Sequence, residues 1–206
     1  MGLSAKQTML VSVKFFRPLI NKNLVKILIF LIFLFDISNL NSNEKIINNF
    51  NNFETLKFNF KQQSFKNEEN GVCYLKRPHF LKCIYETKNQ KELIINNRVL
   101  VIYHKRYDKV YRYPLSKSYF LDILNKQKFS QIIENGERKL NSNYVEIKYS
   151  NQEKGEITFN FNKENYELEG WRLVDINNNI ILFEIQDYSK NIEIKKSFFL
   201  IPQENQ

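Results

Sequence analysis

Alanine occurs once in this 206-residue chain, at Ala5. A helical bundle is a poor prospect without the best helix former. Five Gly and four Pro are too few for collagen-like or low-complexity architecture. Two His and two Cys leave no ligand set for a zinc ribbon, a zinc finger or an iron–sulfur centre. Asn, Lys, Ile and Phe are plentiful instead, a bias that follows AT-rich coding more than any mechanism. With 43% hydrophobic and 15% aromatic residues, the chain can bury one domain's core and is no disordered tail.

Long apolar runs are also missing, with one short exception. Lys14, Arg17, Lys22 and Lys26 precede nine apolar residues, Ile27 to Phe35. A bilayer span needs roughly 20. A positive flank, a short apolar stretch and then small polar residues form the layout of a cleaved export signal, here residues 1–42. Cleavage is expected after Ser42 or near Ser38. An uncleaved anchor or a buried core helix is the alternative, and Asp36 directly after the run argues against the anchor. No Cys closes the run, so a lipid-modified N-terminal Cys is excluded. Removing 1–42, which holds five Lys or Arg and one Asp, lowers the net charge from +9 to +5. The remaining cations are scattered and no RNP-like motif appears, so no nucleic-acid partner is expected.

Beyond the signal, Ile46, Ile47, Phe50 and Phe53 have the spacing of an amphipathic helix over 44–53. Period two then dominates. Leu56, Phe58 and Phe60 alternate with Lys57, Asn59 and Lys61, and strand-like runs follow at 71–77, 80–86, 91–95, 98–104 and 107–113. A break over 116–140 holds a short helix at 119–124. Strands resume at 144–150, 155–161, 166–174, 179–187 and 192–200. Asn-rich or Gly-containing turns such as 69–71, 96–97 and 177–179 separate them. Without βαβ alternation, these eleven or so strands form one antiparallel sheet. A sheet of that size must curl, and its apolar inner face needs a cover. The first helix and the 116–140 insertion are the candidates, giving a mainly β (α+β) fold: a half-open, strongly curved sheet, an incomplete barrel, with a helical lid over an apolar cavity.

The hairpin over 71–86 carries the most information. A turn at Arg77-Pro78-His79 sets Cys73 opposite Cys83. Cross-strand Cβ atoms lie about 4.5–5.5 Å apart, slightly beyond the usual disulfide range but closable at a non-hydrogen-bonded site. An exported compartment would oxidise the pair; two buried free thiols are the alternative. Parity places Cys73, Leu75, Arg77, Leu81, Cys83 and Tyr85 on one face and Tyr74, Lys76, Lys82 and Ile84 on the other. Arg77 then either sits at the rim in water or lies on the apolar side and needs acceptors for its donors. Carbonyls at the end of a covering helix would serve.

Enzymatic chemistry is not expected. His79 and His104 lack a nucleophile, and no G-x-S-x-G or P-loop is present. Glu68-Glu69 reads as a polar turn. Neither a metal nor a cofactor is called for.

The chain resembles the periplasmic outer-membrane lipoprotein carrier family, LolA, over about 44–202. The resemblance rests on the helix followed by Phe58-Asn59-Phe60-Lys61-Gln62, and on Gly71 with Lys76-Arg77-Pro78 and Phe80. It continues through Leu93 to Tyr103, Trp171 to Asp175 with Asn178-Asn179, and the closing Phe198-Phe199-Leu200-Ile201-Pro202. Asn97 stands where the family's turn has Gly, a replacement Asn tolerates in the left-handed region. The resemblance implies a carrier domain over 43–206 that shields the acyl chains of lipoproteins released from the inner membrane and delivers them to the outer membrane. Implied partners are outer-membrane lipoproteins, an inner-membrane lipoprotein-releasing ABC transporter and, where one exists, the outer-membrane acceptor LolB. The missing lipid Cys argues against this chain being that acceptor. The carrier itself would be a periplasmic monomer. Arg77 takes the place of the family's lid latch, bonding the lid backbone in the empty state and letting go when lipid enters. A periplasmic lipid- or lipoprotein-sensing domain on a similar curved sheet is the alternative.

Acyl chains offer apolar area and no hydrogen bonds, at about 0.8 kcal/mol for each buried CH₂. A preformed greasy slot would hold three chains almost irreversibly, so release requires lid closure to oppose binding. The expected lining is Ile46, Ile47, Phe50, Phe58, Phe60, Leu75, Phe80, Leu81, Tyr85, Leu121 and Leu124.

Overall fold

In a computed structural model, the described residues are 42–65, 67–97 and 99–203. Residues 1–41 of the expected export signal, with the cut near Ser38, lie outside them. The first helix, α1, runs over 42–51. It leads into β1 (Thr55–Ser64), β2 (Asn67–Lys76), β3 (Phe80–Tyr85), β4 (Lys91–Asn96), β5 (Val99–His104) and β6 (Lys109–Pro114). Two short helices follow, α2 (Phe120–Leu124) and α3 (Lys126–Asn135). The chain closes with β7 (Glu137–Leu140), β8 (Tyr144–Asn151), β9 (Gly155–Asn162), β10 (Leu168–Val174) and β11 (Ile180–Lys190).

All eleven strands join one antiparallel sheet in the order β6-β5-β4-β3-β2-β1-β11-β10-β9-β8-β7. Two meanders meet where β1 pairs with β11, and β6 and β7 remain as edges. The connection between those edges carries α2 and α3, so the segment that crosses the open side also supplies its cover. Register shifts at Phe58/Asn59 in β1 and at Leu168/Gly170 in β10 add twist, as bulges do. The alternation read from sequence is real: Phe58 and Phe60 are buried between exposed Lys57 and Asn59, and Ile157, Phe159 and Phe161 are buried in β9.

Three local expectations are corrected. The turn placed at 69–71 lies after Ser64 instead, and Gly71 sits inside β2 opposite Phe60. A Cβ on Gly71 would stand 2.2 Å from the Ile84 carbonyl oxygen and 2.8 Å from the Phe60 ring, so glycine serves close packing there. The 192–200 segment is a strap with a 3₁₀ turn at Lys196–Phe199, not a strand, because β11 is already paired on both sides. It packs on the convex face of β3 and β4, where the Asn96 side chain donates to the Phe199 carbonyl at 3.1 Å and Lys76 Nζ to the Ile194 carbonyl at 2.6 Å. The 116–140 break holds α3 and β7 besides the expected short helix. Asn97 and Asn178 do adopt the left-handed backbone of their turns, at φ 59° and 63°.

Candidate functional site: an apolar seam under the first helix

The concave face is closed by α1, α2 and α3. α1 buries Ile46 and Phe50, and Phe53 follows it at the junction with β1. Phe50 stacks on Phe129 of α3 with ring centroids 3.5 Å apart, and Phe129 meets Phe159 edge-on at 5.6 Å. α2 is tied to the sheet by the Asp122–Lys154 ion pair and by the Tyr119 hydroxyl, which donates to the Gly155 carbonyl at 2.8 Å. Burial pushes that phenol up to about 12.

Beneath the helices lies a cavity of about 40 Å³, lined on β1 to β3 by Leu56, Phe58, Cys73, Leu75, Leu81, Cys83 and Tyr85. Leu93, Leu168, Trp171, Phe183 and Ile185 line the rest of the sheet side, and Phe50, Phe120, Ile123 and Leu124 line the helical side. A second gap of about 40 Å³ runs along α1 past Ile46, Phe53 and Phe161, and shares Phe50, Leu56, Leu168 and Ile185 with the first. The two form one seam. Sites for drug-sized ligands measure about 300–1,000 Å³, so the seam is shut and the helices must move before an acyl chain fits.

Of the expected lining, Phe50, Phe58, Leu75, Leu81, Tyr85 and Leu124 face the cavity, and Ile46 faces the adjoining gap. Phe60 is fully buried beside it, in ring contact with Tyr85 and Phe183 at 4.9 Å each. Ile47 and Leu121 pack, half-buried, against the same core. Phe80 does not belong here: it lies on the convex face, 5.5 Å from the ring of Phe199. Leu93, Trp171, Phe183 and Ile185 were not expected in the lining; only Ile185 stands between two polar neighbours, Glu184 and Gln186, and Leu93 and Phe183 adjoin the apolar Ile94 and Leu182.

Arg77 lies inside, not at the rim, at 6% exposure, and is the one buried cation among the described residues. Its guanidinium carbon stands 4.4 Å from the ring centres of both Phe50 and Phe53. Nη1 donates to the Asn51 side-chain oxygen at 3.4 Å, while Nε and Nη2 meet no acceptor among the described residues. The expected helix-end carbonyls are thus replaced by two aromatic faces and one amide. Burial pushes the guanidinium down to about 10, against support from Glu54, so it stays cationic at neutral pH. Its backbone N–H donates to the Glu54 carbonyl at 2.9 Å and secures the α1–β1 junction. At the other end of α1, Arg138 of β7 donates to Ser42 and, at 2.9 Å, to the Asn43 side-chain oxygen. The helix is therefore held by an arginine at each end, and sequence reasoning found one of them.

Cys73 and Cys83 are directly opposed and joined in a disulfide in the cavity wall. Closing so short a loop is worth about 3 kcal/mol in the chain-entropy model. The double variant Cys73→Ser, Cys83→Ser should lose about that much in urea unfolding. A loss below about 1 kcal/mol would mean the sheet alone fixes this hairpin.

Residues 51–202 match the family described as outer membrane lipoprotein carrier protein LolA. The chain belongs to the LolA family. No curated protein matches the sequence. Among solved structures, it is similar to an uncharacterized conserved protein from Thermus thermophilus at 6% identity and a TM-score of 0.51, covering 81% of this chain and 96% of that one. A LolA superfamily protein from Nitrosomonas europaea matches at 9% identity and 0.45, covering 79% and 97%. The Mycobacterium tuberculosis lipoprotein LppX matches at 6% and 0.47, covering 78% and 100%. At such identities, likeness speaks to fold alone. The curved sheet with its helical cover is the LolA fold, and among the described residues no helix is long and apolar enough to cross a membrane.

Proposed function

We propose that this LolA-family chain is a periplasmic monomer that takes up the acyl chains of lipoproteins released from the inner membrane and carries them to the outer membrane. An ABC transporter would load it and an acceptor such as LolB would unload it. The carrying observation is the shut apolar seam with a single buried cation at its lid. Shape and apolar area suit acyl chains, while Arg77, with two donors unpartnered among the described residues, makes the closed state easy to leave. α1 is the lid. The N-terminal segment directs export. Ser42 is 3% exposed and bonded to Arg138, so a cut near Ser38, which keeps Ser42, fits the fold better than a cut after it.

The test is native mass spectrometry of the protein recovered from the compartment to which its own cell exports it. The expected species starts before Ser42 and carries a triacylated lipoprotein. A processed chain without lipoprotein, in the wild type and in Arg77→Leu alike, would move the assignment to a lipid- or lipoprotein-sensing domain. A chain that keeps its first 35 residues would end the shuttle reading.

A further inference from the structure

One edge of the sheet stands apart in charge and composition. Between His104 and Lys117 the chain carries Lys105, Arg106, Lys109, Arg112 and Lys117 against the single acid Asp108. All five cations are exposed, as are Tyr107, Tyr111 and Tyr113 at 61%, 49% and 48%. Nine other cations of the described residues form ion pairs, Lys61, Lys82, Lys91, Lys126, Lys128, Lys148, Lys154, Arg172 and Lys190, and none of these five does. Arg106 does reach the Lys88 carbonyl at 3.5 Å, which leaves its charge uncompensated. The register places the patch at the mouth of the concave face. Leu93 opposes Ile102, which opposes Tyr111, and Ile95 opposes Leu100, which opposes Tyr113. The apolar rows of the inner wall thus end in two exposed tyrosines on the β6 edge, flanked by cations.

We propose that the β6 edge and the turn before it dock on a bilayer surface rich in anionic lipid headgroups. Tyrosine rings suit the headgroup level, where an apolar body and a polar tip are both satisfied. Lysines and arginines close to an anionic leaflet each add attraction that fades within a Debye length. A peptide added as a further strand fits less well. Lys109 and Arg112 blunt the edge and Pro114 lacks an N–H, the devices that discourage strand addition. The cations also lie in the turn and on both faces of β6, which suits a plane of headgroups more than a single extended chain.

The experiment is co-sedimentation of the protein, as its own cell processes it, with phosphatidylcholine vesicles and with mixed phosphatidylcholine–phosphatidylglycerol vesicles. Binding is expected to the mixed vesicles alone and to fall as salt is raised. The variant Lys105→Gln, Arg106→Gln, Lys109→Gln, Arg112→Gln should bind at least about tenfold more weakly. A second variant with the same charge change on other exposed lysines, Lys139→Gln, Lys163→Gln, Lys195→Gln, Lys196→Gln, should bind nearly as the wild type does. Equal loss in both variants would reduce the effect to net charge and overturn the site. So would wild-type protein that ignores anionic vesicles, or an edge variant that binds them unchanged while losing an acidic protein partner. These vesicles contain no lipoprotein, so failure here leaves the cargo reading of the cavity where it was.

Discussion

Arg77→Leu is expected to leave folding stability within about 1 kcal/mol of wild type and to slow cargo release about tenfold or more. The stability half follows from the environment of the guanidinium. Two ring faces at 4.4 Å contribute roughly 0.5–2 kcal/mol each, and two donors without acceptors cost roughly 1–3 kcal/mol each. Leucine removes both sides together. The release half follows from the proposed loaded state, in which the lid would be lifted and residue 77 would border the acyl chains. A leucine there adds roughly 1.5–3 kcal/mol of apolar burial where the cation added none, and roughly each 1.4 kcal/mol is a factor of ten in retention. Urea unfolding reads the first half and a transfer assay from loaded protein to acceptor membranes reads the second. Unchanged release sinks the latch role. A stability loss above about 2 kcal/mol would show that the ring contacts outweigh the orphaned donors.

Local pattern carried much of this fold, and long-range pairing carried what local pattern could not show. The 73–83 hairpin is legible because its turn chemistry and its alternation agree, so the disulfide and the inward set from Cys73 to Tyr85 follow from parity. The same parity groups Phe80 with Lys82, on the convex face where the structure places it and away from the cavity lining expected of it. Gly71 looked like turn punctuation because its real constraint, the Phe60 ring across β1–β2, becomes visible only with register. The strap at 192–200 has apolar alternation, but whether such a run joins a sheet depends on a free edge, and β1 and β10 had taken both edges of β11. Phe183 and Trp171, stacked at 4.1 Å, enter the lining because β11 returns to β1 from the far end of the chain. Arg138 gave no signal: one arginine in a four-residue polar strand has no partner in sequence, and meets Ser42 and Asn43 only across the fold.

Phe129→Ala should cost about 3–5 kcal/mol of stability and, below its lowered melting point, increase uptake of a fluorescent fatty-acid probe. Phe129 is fully buried, stacks on Phe50 of α1, the proposed lid, and touches Phe159 and Phe161. Its removal enlarges the seam and withdraws the main support of α1 from the helical side in one step. Loss of stability alone would not show this, since any fully buried aromatic gives it. Phe199→Ala supplies the contrast: Phe199 is equally buried, but on the convex face under the C-terminal strap, where no lid moves. A similar fall in stability is expected there, without the gain in probe binding. Equal uptake by the two variants would mean the probe reports general loosening, and the closed seam would then be ordinary core. Uptake confined to Phe129→Ala separates a core that only holds the fold from one built to open, because only the second keeps its stabilising contacts on an element that can leave.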